Sequence, residues 1–286
     1  MKIEKNYDIV IEGEPKIVTE IRHKIIKAFE DLEFYEEGHR YLLHGVQLPS
    51  VSTLSHKFKD EFDTVEKSIS TAKKQGFTPQ YWLDEWKYNS LKATILGTRV
   101  HAFGESLGYL RAKHPELIVD EILPQYIEEK NWLIPICGKE EAIIKFMNDL
   151  PPSYWLVMNE AKVYSGKNPD KTLNPKNQYC GTFDMLYYYD GDGDESKAGL
   201  CIFDYKTNKE LKNGYSRKYN KRMYEPFSEY YQESLGDYIV QLSGYQIPLE
   251  DIGLKVLDRK LIWLKDNGNY EKIKLPDVTK KLRKIL

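Results

Sequence analysis

The chain has 286 residues, 41% hydrophobic, 13% aromatic and 30% charged, with 42 basic against 44 acidic side chains and a net charge of −2. This describes an ordered protein of one large or two small domains, and the near-neutral charge argues against one that coats nucleic acid over its whole surface. No apolar run approaches the ~20 residues of a membrane span and the first residues carry no signal-peptide pattern, so a cytoplasmic protein without a membrane partner is expected.

Phe34-Tyr35 and His39-Arg40-Tyr41 flank a Glu37-Gly38 turn and read as a small hairpin. Ser50 or Ser52 offers an N-cap before a polar helical stretch over 53–75. Thr78-Pro79 supplies a cap and a first-position proline for another helix, unbroken until about Gly108 to His114. On it Gly97, His101, Gly104 and Gly108 share one face, a glycine stripe that lets the backbone approach a neighbour closely. A shorter helix over 139–149 sets Ala142, Ile143, Phe146 and Leu150 on one side, and Pro151-Pro152 ends it. Strands are predicted at 154–164, 179–189 and 200–206, then a helix over 228–246. A second hairpin, 254–264 with 269–275, turns at Asp266-Asn267-Gly268. Strands enclosed by helices give an α/β fold with a central mixed sheet. The expected division is an N-terminal segment 1–52, a helical region 53–150, a core 151–275 and a basic tail 276–286, together one compact domain.

The most informative stretch is Gly181-Thr182-Phe183-Asp184 followed by Asp204-Tyr205-Lys206-Thr207, with the polar turn Gly191 to Ser196 between them. A hairpin folding near residue 194, their midpoint, makes Asp184 and Asp204 cross-strand neighbours ~5 Å apart at Cβ. Asp204 and Lys206, two apart on a strand, point to one face. Two carboxylates and an ammonium then converge, an arrangement that holds a divalent cation through oxygen and sets a cation beside an attacking water. Cys201-Ile202-Phe203 before Asp204 is wholly apolar, and a carboxylate there is costly unless paired or metal-bound.

Gly-x-x-Asp followed by Asp-Tyr-Lys-Thr resembles the PD-(D/E)xK nuclease superfamily in its RecB-like exonuclease branch. Three further motifs of that branch stand in order: Gly97-Thr98-Arg99-Val100-His101, Asn159-Glu160-Ala161-Lys162-Val163 and Gln241-Leu242-Ser243-Gly244-Tyr245. Residues 34–41 and 48–52 are similar to the N-terminal region of phage-encoded and mitochondrial genome-maintenance members. The resemblance implies a restriction-endonuclease-like core with an N-terminal helical arch supplied by 53–110. It implies Mg2+ or Mn2+ held by His101, Asp184, Asp204 and the Tyr205 carbonyl, with Glu160 completing a second site and Lys206 positioning or deprotonating the water. It further implies exonuclease action on single-stranded DNA ends in replication, recombination or repair, alongside proteins of those processes, in the host cytoplasm if phage-encoded. A structure- or site-specific endonuclease and a non-catalytic DNA-binding protein on the same scaffold are the alternatives.

Other residues stay open at this level. His101 is a metal ligand or a buried histidine bonded to a carbonyl. Glu105, one turn on, orients it, binds a second metal or is plain surface. Gln241, Tyr245 and Tyr238 share a helix face that contacts a DNA backbone or the lysine, or forms a polar seam with the sheet. Residues 209–222 hold six basic side chains and one acid, with tyrosines interleaved. Arg217, Lys218, Lys221 and Arg222 of this loop are expected to grip substrate, ordinary solvated surface being the alternative. Cys137, Cys180 and Cys201 are too few for the four-cysteine iron–sulfur cluster of some branch members and read as reduced thiols. The acidic turn from Asp190 fails the EF-hand pattern at its sixth and twelfth positions, Glu195 and Cys201. No P-loop and no Gly-x-Ser-x-Gly elbow occurs.

Overall fold

The computed structural model describes residues 11, 13–35, 37–114, 136–166 and 178–286. Its centre is a five-stranded mixed sheet, β4 (Tyr154–Tyr164), β5 (Cys180–Tyr189), β6 (Gly199–Lys206), β7 (Val256–Leu264) and β8 (Tyr270–Lys274), in that spatial order. All neighbours are antiparallel except β6 and β7, which are parallel. That parallel step needs a crossover, and helix α6 (Gly214–Lys218) and α7 (Ser234–Asp251) lie within it. A small meander, β1 (Leu32–Tyr35), β2 (Arg40–Leu43) and β3 (Val46–Gln47), stands beside the main sheet.

The alternation of side chains divides the core in two. Leu200 and Ile202 of β6 join a cluster with helix α1 (Lys16–Phe29), α2 (Val51–His56), α7 and the C-terminal turn α8 (Thr279–Leu282). Cys201, Phe203 and Tyr205 point the other way, into α4 (Pro79–Lys113) and α5 (Gly138–Asn148). The sheet is therefore covered on both faces, which accounts for the almost unbroken burial of β6.

Several elements depart from the expectation. Helix α1 was not read at all, although Val18, Ile21, Arg22, Ile25 and Phe29 recur at helical spacing and are buried on β4. The single stretch 53–75 is two helices: Ser50 caps α2 through Thr53 N, and Asp63 caps α3 (Thr64–Gln75) through Glu66 N. Thr78 and Pro79 open α4 as expected. Helix α7 starts at Ser234 instead of 228 and runs on through Pro248 to Asp251. Buried Ile247 and Leu249 pack on either side of the missing amide and hold that last turn. The C-terminal segment is not a free basic tail: Leu282 is fully buried and Arg283 pairs with Asp251 at 2.7 Å.

Helix α3 and the outer half of α4 form a two-helix arm. Ser68 is the only buried residue of α3, and Tyr88, Leu91 and Ile95 of α4 are largely exposed. The inner half of α4, from Val100 to Gly108, is buried against the sheet. Among the described residues no helix is long and apolar enough to cross a membrane.

Candidate metal centre and its cleft

Three carboxylates lie abreast on three adjacent strands. Met185 of β5 pairs with Phe203 of β6 and with Asn159 of β4. One residue further along, Glu160, Asp184 and Asp204 come into a row. The turn closes at the midpoint of the two aspartates, as the spacing required. Within β4, Glu160 adopts a left-handed conformation with φ 48. This costs a non-glycine residue about 1–2 kcal/mol and is typical of sites where geometry is imposed by function.

Helix α4 brings His101 over this row, and glycines set the distance. A Cβ on Gly104 would fall 2.5 Å from the buried Tyr205 ring, and one on Gly108 would fall 2.9 Å from the Asn159 amide. Any larger residue would lift α4 and carry the imidazole away. Arg99 donates to Glu140 of α5 at 2.7 Å, while Glu140 accepts the Cys137 amide at 2.7 Å, so α4 is also fixed in rotation. His101 Nδ1 then lies 3.0 Å from Asp184 Oδ1, and the Tyr205 amide donates to Asp184 Oδ2 at 2.6 Å.

One ligand atom each from His101, Glu160 and Asp184 lies within 4.8 Å of the others. One imidazole and two carboxylates could hold a divalent metal ion. Glu160 stands with His101 and Asp184 in this cluster, and Asp204, on the neighbouring strand, lines the same cleft with its Oδ2 ion-paired to the Lys206 ammonium. Lys206 is further held 4.4 Å above the Tyr238 ring. Tyr205 enters the site through its amide nitrogen. Glu105 does not bond His101; its backbone carbonyl accepts from Asn159 Nδ2 at 2.9 Å.

The electrostatics show how crowded the negative charge is. Burial, then the charge of Asp184, pushes the Glu160 carboxyl up to about 8 and the Asp204 carboxyl up to about 6. Asp184 is held below its ordinary value: burial opposes this, but His101, Lys206 and the Tyr205 amide outweigh it. His101 is raised to about 9, burial being overcome by Asp184. Lys206 is raised as well, the Asp204 charge exceeding the cost of burial. A divalent cation among His101, Glu160 and Asp184 would relieve the repulsion that raises Glu160, so the donor set fits such an ion.

The cluster opens on a cleft of about 1590 Å³. Gln241 and Tyr245 line it, with Gln241 Nε2 donating to the Tyr245 hydroxyl at 2.8 Å. Tyr245 also explains Gly181: a Cβ there would fall 2.4 Å from its ring. The basic loop lies outside the cleft lining. None of Arg217, Lys218, Lys221 and Arg222 lines the cleft. Arg217 pairs with buried Glu233 at 2.7 Å, Lys221 with Asp60 at 2.8 Å, and Arg222 donates to the Glu229 carbonyl at 2.9 Å.

Sequence reasoning passed over Asn159, Lys162 and the ring cluster of β1–β2, all on the cleft wall. A polar Asn159 in the apolar run Leu156-Val157-Met158 was the readable signal. Among known proteins, no family model matches the chain and no curated protein matches it.

Proposed function

We propose that this protein is a metal-dependent nuclease of the PD-(D/E)xK type that hydrolyses DNA phosphodiester bonds, acting on single-stranded ends. The observation that carries the reading is the meeting of His101, Glu160 and Asp184 within 4.8 Å, beside a lysine already paired to a third carboxylate. His101, Glu160 and Asp184 would hold Mg2+ or Mn2+. Such an ion polarises a phosphoryl oxygen and lowers the pKa of bound water.

The chain's own groups have separate tasks. Lys206, fully protonated and fixed between Asp204 and Tyr238, stabilises negative charge developing on the phosphoryl group. Asp204 holds that ammonium in place and keeps it charged. Gln241, its amide bonded to the Tyr245 hydroxyl, faces the substrate from the cleft lining. The cleft is acidic before an ion binds, so phosphate entry and cation binding are linked by charge.

The test is incubation with end-labelled linear single- and double-stranded DNA and with a closed circle, in Mg2+, Mn2+ or EDTA. Metal-dependent shortening of linear strands with the circle intact is the expected result. Cleavage of the circle makes the protein an endonuclease on the same core. Binding without cleavage under every condition makes it a non-catalytic DNA-binding protein.

A further inference from the structure

One wall of the cleft takes no part in the metal centre. On the β1–β2 hairpin, Phe34, His39 and Tyr41 form a closed triangle of rings. The centroid separations are 5.0 Å for Phe34–His39, 4.8 Å for Phe34–Tyr41 and 5.5 Å for His39–Tyr41. His39 stands nearly perpendicular to both partners, at 82° and 88°. It is exposed, yet its backbone is left-handed with φ 47. That conformation belongs to the hairpin turn, where His39 follows left-handed Gly38 and directly precedes Arg40, the partner of Tyr35. The turn sets the ring edge-on against the other two at the cleft wall.

The wall is tied to the metal centre. The Tyr41 hydroxyl is 2.7 Å from Thr182 Oγ1, two residues before Asp184 on β5 and hence roughly 7 Å away along the strand. Lys162, the cross-strand partner of Thr182, holds its ammonium 5.2 Å above the Phe34 ring. Asp31 and Glu33 lie on the same side of the cleft. Their charge repels a phosphate backbone, whereas aromatic faces accept any base. The two sides of the cleft therefore sort the two sides of a nucleic acid strand, phosphates towards His101 and Lys206 and bases towards the hairpin.

We infer that the β1–β2 hairpin is a base-stacking subsite, in which an unpaired nucleobase packs on the exposed His39 ring, backed by partly buried Phe34 and buried Tyr41, while the adjoining phosphate lies at the metal centre. The inference rests on the nuclease reading of the site and names the element that selects single strands. A paired base keeps its faces inside the duplex stack and has none to offer the wall.

The experiment uses the full-length protein with Ca2+ in place of Mg2+ or Mn2+, so that the carboxylates are neutralised, and single-stranded oligonucleotides carrying one 2-aminopurine near the end, or an abasic residue in its place. Wild type should quench the fluorescent base on binding. His39→Ala should weaken binding on the order of tenfold, whereas His39→Phe, which keeps the ring but not the proton, should bind as wild type does. An abasic residue should weaken wild type by the same factor and add nothing to His39→Ala. With Mg2+ or Mn2+ present, that loss should appear in KM more than in kcat. Melting curves of both variants should match wild type, since His39 is exposed. Equal affinity for intact and abasic strands overturns the subsite, as does His39→Phe behaving like His39→Ala. If strands are cut but the base makes no difference, the hairpin inference alone falls. If no strand is bound or cut, the nuclease reading falls with it.

Discussion

His101 and Asp184 form an ion pair, Nδ1 to Oδ1 at 3.0 Å, at the point where three strands present their carboxylates. An imidazolium must lose its proton before it can ligate a metal, and so must the Glu160 carboxyl. With His101 raised to about 9 and Glu160 to about 8, both carry protons at pH 7. Binding of Mn2+ at pH 7 should therefore release about two protons, falling towards none above pH 9. Calorimetry in two buffers of different ionisation enthalpy reads this directly. Binding heats independent of buffer would remove His101 and Glu160 from the ligand set.

The same shifts fix the pH dependence of the metal-free fold. His101 is raised, so its stabilisation is complete below its ordinary value near 6.5 and is lost as pH rises through about 9. Glu160 is also raised, so the native state prefers it protonated and stability falls between pH 4.5 and about 8. Asp184 acts oppositely, its contribution being lost in acid. The apo protein should melt progressively lower from pH 6 to 9, and Mn2+ should raise the melting temperature more at pH 8 than at pH 6. A melting temperature that climbs over that range without metal would contradict the placement of Glu160.

Two substitutions that look alike in sequence should have opposite effects. Glu160→Gln removes a carboxyl that folding must protonate at neutral pH and should raise apo stability, by roughly 2–4 °C if the relief is about 1 kcal/mol. Asp184→Asn removes a charge the fold favours and leaves His101 without its partner, a loss of about 3 kcal/mol. The His101 pair and the Tyr205 amide hold Asp184 in its charged form. Both variants should abolish cleavage, and full activity in either would end the metal assignment.

Lys206→Ala should depress the single-turnover rate at saturating DNA by 100-fold or more while changing affinity little, because its charge is matched in the transition state. Collapse of binding with an intact rate on bound DNA would make Lys206 a backbone clamp instead.

The glycine stripe gives the sharpest structural contrast. Gly104→Ala drives a methyl to 2.5 Å from the buried Tyr205 ring, whereas Gly97→Ala meets only Thr207 Oγ1 at 3.8 Å. The first should cost 1–3 kcal/mol and lower metal affinity by displacing His101, and the second should be neutral or stabilise by up to about 1 kcal/mol. Comparable melting temperatures for the two variants would mean that α4 does not need its close approach.

Much of this was legible before any coordinates. The register that sets Asp184 abreast of Asp204 follows from turn residues midway between them, and the Thr78-Pro79 start of α4 from capping chemistry. Gly97, His101, Gly104 and Gly108 fall on one face by helical arithmetic. What escaped depended on partners distant in sequence. That Glu160 lies beside His101 and that Lys206 pairs with Asp204 are set by tertiary packing. Whether a basic loop keeps charge for a ligand depends on Glu233 and Asp60. Helix α1 escaped for a lesser reason, since its periodic apolar face stood in plain view.

Helix α4 is one continuous rod of 35 residues, roughly 50 Å long. Val100, Phe103 and Leu107 are fully buried, while Tyr88, Leu91 and Ile95 are 57–60% exposed. Mechanically this is a cantilever: its inner end is clamped between Tyr205 and Asn159, its outer end projects with α3, and His101 sits just inside the support. A force on the outer end acts with a long moment arm about Gly97. The tight seating of Gly104 and Gly108 resists translation, so what reaches His101 is a small tilt.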